Sequence, residues 1–424
     1  MRMSGVRSRY GKDPEFYLLA RLAPGKENLA SLTDESLHGR HKAKLAPAYT
    51  QDVNGARELT IDAHLSDLLD SIRTNYLATS TSTNTMDLAK EMQYFTTKAI
   101  IELTFGPAFD DLLTDEVVGS LVDMPEDAFN FPGFLYAMRL TKFMGSPIIS
   151  RLLSPKENPE VGMGKFLSVT NQLNDEKFLA SIPKNTLGMI QVYIQNGLDS
   201  EQVAHDALTQ VLAGQVTVSA AISGIILLLM SNPRVLCTLR KEIDDAWDRS
   251  STSEHEGKKI VTWTETLELP YLQAVIREGL RIFPPTVDPL PRITPPEGDS
   301  VEVGDRNVFI PGGTRVLTST WAITRRTDVF GEDADIFRPE RWIGLDTSTS
   351  VRMQKVADLI FGFGKGRCLG ITIARIIISK AVFELVRRYD MALTKPWSPM
   401  TNVLNMGAWE RSKMMVIVTE REAV

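Results

Sequence analysis

The sequence predicts a mainly α-helical protein with small β-sheets, built as one large domain. Three observations point there. Long segments carry apolar residues at helical spacing, short alternating stretches cluster near residues 300–320, and no Pro/Ser/Gly-rich linker separates independent halves. The chain has 424 residues, 43% hydrophobic and 24% charged, which is ordinary for a folded protein with a sizeable core.

Taken in order, the first strong helix signal runs from Met86 to Phe105. Leu88, Met92, Phe95, Ala99 and Leu103 share one face, Thr85 is placed to cap the start, and Gly106-Pro107 ends it. A longer helix begins after Asp199, which has capping-box spacing with Gln202, and runs to Ser231 before Asn232-Pro233. At 1.5 Å per residue it would extend roughly 45 Å, enough to cross the domain.

Another helix starts at Pro270 and is closed by Pro284-Pro285, placing Glu278 and Arg281 three apart on one side. Val301 to Ser319 then alternates, with turns at Gly304-Asp305 and Pro311-Gly312-Gly313, and reads as short strands. The last helix, Ile371 to Arg388, carries a wide apolar stripe of Ile373, Ile377, Ala381, Val382, Leu385 and Val386.

Composition excludes some functions. A net charge of −6 gives no overall basic field for nucleic acid. The longest strongly apolar run, Ile222 to Met230, is far below the length of a bilayer span, and residues 1–16 hold no apolar signal core. Only two cysteines occur, so a disulfide framework or a four-cysteine metal site is excluded. Cys237 lies in an amphipathic helical stretch and reads as a buried core thiol, whereas Cys368 has glycine and charge around it.

That second cysteine closes the stretch Phe361 to Gly370, FGFGKGRCLG. A dinucleotide fingerprint fails here, because Arg367 stands where the third glycine belongs, and no Gly-Lys-Ser/Thr follows for a phosphate loop. A loop that presents sulfur uses every feature. Glycines turn the backbone tightly and approach a flat ligand, and the following helix N-terminus favours a thiolate. A thiolate so held is a ligand for haem iron, donating the electron density that favours oxygen–oxygen bond cleavage.

At this loop the chain resembles the cytochromes P450, over a stretch from about Leu32 to the C-terminus. The signature Phe-x-x-Gly-x-x-x-Cys-x-Gly is matched by Phe361, Gly364, Cys368 and Gly370. The resemblance implies the cytochrome P450 fold, heme b (iron protoporphyrin IX), and Cys368 as the axial ligand of its iron. Where the family usually has Arg two residues before the cysteine, this chain has Gly366, leaving Lys365 or Arg367 to substitute.

Distant positions match as well. Glu278 and Arg281 look like the family's Glu-x-x-Arg pair, and Arg341 in FRPERW looks like its third member, which implies a structural trio behind the haem. Arg292 stands where a propionate-binding Arg is common, and His38 and Lys42 where a helix supplies two more donors. Solvated surface charge is the competing reading for His38 and Lys42. The family's Ala/Gly-Gly-x-Asp/Glu-Thr-Thr becomes Ala213, Gly214, Gln215, Val216, Thr217, Val218. The threonine survives and the acid does not. A Thr217 hydroxyl bonded to the Ala213 carbonyl would open a groove for dioxygen, leaving water, Gln215 or another route to deliver protons.

The implied activity is insertion of one oxygen atom from O2 into a hydrophobic small molecule, in the style of filamentous-fungal secondary-metabolite enzymes. A haem-thiolate isomerase or peroxide-using enzyme also fits the missing acid, and a non-catalytic truncated remnant fits the short front. Electrons are expected from NADPH–cytochrome P450 reductase, docked on Arg40, Lys44, Lys365, Arg367 and Arg387, with the enzyme a monomer. Substrate-facing positions are expected at Ala213 with Thr217, at Thr286 to Leu290 and near Asn405 to Ala408. FNFPGFLYAM, Phe129 to Met138, reads as plain core, as a roof over the pocket or as a lipid contact. Relative to the family, residues 1–424 form a single catalytic domain lacking the N-terminal membrane anchor, first helices and leading strands, including those expected to flank Val308 to Leu317. The family implies the cytosolic face of the endoplasmic reticulum, and this chain as written a cytoplasmic or peripheral protein.

Overall fold

A computed structural model describes residues 3, 5, 7–22, 25–50, 55–79, 82–123, 134–141, 162–183, 186, 188–251, 260–287, 290–405 and 408–421. Its principal helices are α1 (Glu35–Leu45), α2 (Ala56–Asn75), α3 (Leu88–Phe105), α4 (Ser200–Met230), α5 (Pro233–Ser251), α6 (Pro270–Ile282) and α7 (Ile371–Arg388). The strands are β1 (Gly11–Lys12), β2 (Thr85–Asp87), β3 (Arg292–Ile293), β4 (Asp299–Val303), β5 (Arg306–Ile310), β6 (Arg315–Val316), β7 (Tyr389–Leu393), β8 (Thr401–Asn405), β9 (Ala408–Ser412) and β10 (Met415–Glu420). The mainly α reading with small antiparallel sheets therefore stands.

The long helix α4 is the axis. Asp199 and Gln202 form the capping box that their spacing predicted, and α3, α6 and α7 all pack on it. Among the described residues it is the one helix long and apolar enough to cross a membrane, and its most apolar window is 72% buried, as suits a core helix. Gly214 permits the close α3–α4 approach, since a Cβ there would sit 3.1 Å from Ile100 Cγ1. Both predicted ends of α6 and α7 are also found, and the whole apolar stripe of α7 is buried.

Several expectations need correction. Thr85 does not cap α3. It belongs to β2, which pairs antiparallel with β10, so the chain stays extended to Asp87, whose carboxylate accepts the Lys90 N–H and starts the helix. Cys237 is exposed rather than buried. The buried stripe of α5 is Val235, Leu239 and Ile243, four apart, and a residue two beyond Val235 faces the other way. Of FNFPGFLYAM, Phe129 to Gly133 lie outside the described residues; in the rest Leu135 is buried, Phe134 and Met138 are exposed and Tyr136 donates to Asp13, so this end is only partly core.

The front of the chain does supply a strand. β1 pairs with β3 in the register Gly11↔Ile293 and Lys12↔Arg292, and β3 pairs with β6, giving the order β1-β3-β6. β4 and β5 form a hairpin, as do β8 and β9. A second three-stranded sheet has the order β2-β10-β7.

Candidate active site

The loop before α7 is shaped by its glycines. Gly362 has φ +74°, and a Cβ there would lie 2.5 Å from the Gly366 carbonyl oxygen, so a larger residue would collide with the loop itself. Gly364 is also left-handed at φ +60°. The Cys368 N–H donates to the Phe361 carbonyl at 2.7 Å, which closes the loop and sets the cysteine two residues ahead of Gly370, the N-cap of α7. The Phe361 ring lies beneath the Arg375 guanidinium, 5.6 Å from its centroid.

Cys368 is exposed by residue area, yet the protein around its sulfur is enough that desolvation pushes the thiol above its ordinary range. The Gly370 N–H and the Lys42 ammonium oppose that shift and favour the thiolate. Burial outweighs them, so full deprotonation at neutral pH calls for a cation on the sulfur. A metal ion supplies that directly.

Beside the loop lies a cluster of cations. Arg292 is buried and pairs with Glu35 at the first turn of α1, a partner that sequence reasoning missed. Lys365 reaches the same carboxylate at 3.7 Å, while Arg367 is exposed. Lys42 meets the loop backbone with two of its three N–H groups. Its ammonium donates to the Lys365 carbonyl at 2.8 Å and to the Arg367 carbonyl at 2.5 Å, clamping α1 to the cysteine loop. His38 is buried rather than a solvated surface charge, and its Nδ1 has no hydrogen-bond partner; the Tyr17 hydroxyl is orphaned in the same neighbourhood. Excess positive charge with unpartnered polar atoms suits an anionic group, and the carboxylates of a haem fit it.

Burial and then the charges of Lys12 and Lys42 push His38 down to about 4. In the unfolded chain it titrates near the ordinary 6.5, so between those values the unfolded state binds the extra proton and folding stability falls as pH drops. His38→Asn is expected to lose less stability than the wild type between neutral pH and about pH 4.5, by denaturant midpoints at each pH. Equal losses would remove His38 from that account.

The oxygen-handling residues lie on α4. The Thr217 hydroxyl donates to the Ala213 carbonyl at 2.9 Å, as expected, and both side chains are accessible while the helix beyond Val218 is buried. Gly214 does not join them, because it faces α3. Gln215 turns away too: its side-chain oxygen accepts from Thr97 at 3.0 Å and its carbonyl accepts from Thr96, so it is no proton route. Val216 stands where the acid would be, with no carboxylate in its place.

The third group is a closed one. Glu278 receives Arg281 through both carboxylate oxygens, at 2.8 and 2.7 Å, and Arg341 Nε at 2.8 Å. The Trp342 indole N–H and the Arg338 backbone N–H complete it, two donors that spacing did not reveal. Glu278 and Arg281 are fully buried and Arg341 nearly so. Of the substrate-facing segments, Thr286 and Ala408 meet in a β-bridge, while Asp288, Pro289, Met406 and Gly407 lie outside the described residues. Arg387 does not belong with the docking cations. It sits at the opposite end of α7 from Cys368, roughly 27 Å along the helix, paired with Glu384 and stacked 3.8 Å from the Trp247 ring centre.

With this geometry in hand, the comparisons agree. A family model described as Cytochrome P450 matches residues 7–417, starting well ahead of Leu32. The chain is 33% identical over 404 residues to cytochrome P450 monooxygenase ABA1 of Pyricularia oryzae, covering 94% of this chain and 77% of that one. It is 30% identical over 424 residues to cytochrome P450 monooxygenase aba1 of Botryotinia fuckeliana, covering 99% and 81%. Cytochrome P450 monooxygenase cicH of Emericella nidulans is 35% identical over 266 residues, 62% and 48% of the two chains.

Proposed function

The chain belongs to the cytochrome P450 family, a haem-binding family of oxidoreductases, and from that premise we propose that it inserts one oxygen atom of O2 into a hydrophobic small molecule in fungal secondary metabolism. The observation that carries the proposal is the Cys368 loop, closed by its own N–H and seated at the start of α7. Haem bound through Cys368 supplies dioxygen binding and oxygen–oxygen cleavage. The remaining steps fall to the protein's own groups. Thr217 holds an O–H at the accessible face of α4, where it is placed to donate toward a bound ligand once it leaves the Ala213 carbonyl. Arg292, Lys365 and His38 supply charge and donors for the haem carboxylates, and Lys42 fixes the loop that carries the sulfur. Electrons are supplied by NADPH–cytochrome P450 reductase, with Arg40, Lys44, Lys365 and Arg367 as the docking cations. The domain is read as residues 1–424, acting as a monomer.

Carbon monoxide added to the reduced, haem-loaded protein tests the ligand, and NADPH-dependent oxidation of apolar probes tests the reaction. A specific observation favours a second reading: with Val216 in place of the acid, a peroxide-using enzyme or an isomerase needs no such proton donor. Turnover without NADPH separates the two. Val216→Asp is expected to raise product formed per NADPH about 2- to 10-fold, a proton-transfer gain of ~1 kcal/mol. Unchanged or poorer coupling would mean that the valine is not what limits proton delivery.

A further inference from the structure

Strand β1 sets Lys12 directly opposite Arg292. Both are buried, at 7% and 5% exposure. Opposed like charges repel across a sheet, and burial makes the repulsion costlier unless an anion lies between them. Of the nearby carboxylates Glu27 pairs with Arg21 and Asp13 with Arg315 at 2.7 Å, while Glu35 pairs with Arg292 and attracts Lys12 without contacting it, so one carboxylate faces two buried cations. Among the described residues Lys12 forms no ion pair. Its ammonium gives one N–H to the Leu32 carbonyl at 2.6 Å and lies 4.8 Å from the Tyr17 ring centre, leaving two donors. Around it the Tyr17 hydroxyl and His38 Nδ1 are buried and unpartnered.

Gly366 adds an independent observation. A Cβ at that position would lie 3.7 Å from Arg292 Nη2, so the place where the family pattern has an arginine adjoins this same cluster and carries no cation of its own. We propose that Lys12 restores the missing charge: Lys12 and Arg292, opposed across β1 and β3, together hold a carboxylate of the haem, with the Tyr17 hydroxyl as a further donor. The inference deepens the haem-thiolate reading and rests on it. It also gives β1 a purpose, because the strand carries the second cation to the loop.

The test uses the full-length, haem-loaded chain with Lys12→Met and Lys12→Arg. Two readouts are compared: the rate of haem transfer to excess apomyoglobin, and the preference for haem over haem dimethyl ester, which has the same ring and no anionic carboxylates. Lys12→Met is expected to release haem about 10-fold faster, equivalent to ~1.4 kcal/mol, and to lose most of the preference over the ester. Lys12→Arg restores both. The haem-free Lys12→Met protein is expected to melt no lower than wild type, since it sheds a buried like-charge contact; a merely structural lysine would give a lower melt. Wild-type haem retention and ester discrimination in Lys12→Met overturn the proposal, and so does equal loss of haem and ester. Should Lys12→Met not fold, Tyr17→Phe is measured the same way, and unchanged discrimination there overturns the shared-carboxylate assignment. Absence of a thiolate-type carbonyl spectrum in the wild type would instead sink the underlying family reading of Cys368.

Discussion

Cys368→Ser is expected to remove the red-shifted Soret band of the reduced, carbon monoxide-treated protein and to lower oxidation of any substrate by about 10³-fold or more, ~4 kcal/mol of transition-state stabilisation. The reason is chemical rather than structural. The loop is closed by backbone bonds, Cys368 N–H to the Phe361 carbonyl and Arg367 N–H to the Gly364 carbonyl, and neither needs sulfur. What the side chain adds is an acceptor for the Gly370 N–H and a donor atom soft enough to push electron density onto iron; a serine hydroxyl provides the first and not the second. The variant should therefore fold to within ~1 kcal/mol of wild type while losing the spectrum and the chemistry. Cys237→Ser, on the solvent face of α5, is the matched control and should change neither. Persistence of both the band and the product in Cys368→Ser would place the iron on another ligand.

How much of this was legible beforehand depended on the range of the interaction. The cysteine loop is local, ten residues whose glycines, sulfur and following helix all sit in one window, so the sequence carries the site almost complete. Thr217 and Ala213 are four apart on one helix, and their bond follows from helical geometry alone. Gln215 misled because spacing places it beside Thr217 but says nothing of which neighbour it faces; α3, through Thr96 and Thr97, decides that. Glu35 and Lys12 were invisible for a related reason. Glu35 meets Arg292 across 257 positions, and Lys12 meets it through the register of two two-residue strands too short to show any alternation. The stripe of α7 conceals Lys380 and Glu384, both fully buried, because the amphipathic pattern still reads correctly around them. Their partners, Glu58 and Asp62 on α2 and Arg387 and Arg388 in the last turn, are what make that burial tolerable.

Glu278 is a large structural liability for the same reason, a fully buried charge that depends on its partners. Its two oxygens accept from five donors supplied by Arg281, Arg341, Trp342 and the Arg338 backbone, and each guanidinium is otherwise bonded to protein acceptors, Arg281 to the Thr324, Ala334 and Ile336 carbonyls, Arg341 to Phe330, Asp333 and Ile336. Removing the carboxylate leaves the buried Arg281, among the described residues, with carbonyl partners alone and Arg341 with the Asp333 carboxylate. Glu278→Ala is accordingly expected to cost about 3–5 kcal/mol, measured as a fall in denaturant midpoint at unchanged slope, with haem incorporation dropping alongside because α6 and the segment Pro339–Trp342 are no longer locked together. Glu278→Gln keeps the shape and loses the charge, and should fall between wild type and alanine. The effects of Arg281→Ala and Arg341→Ala should be strongly non-additive, since either single variant leaves Glu278 one guanidinium while the double variant leaves the buried carboxylate none, so the double loss should exceed the sum of the single ones. An alanine variant within ~1 kcal/mol of wild type, or single losses that simply add, would show that the three side chains stand side by side without depending on one another, and the trio would then be no lock at all.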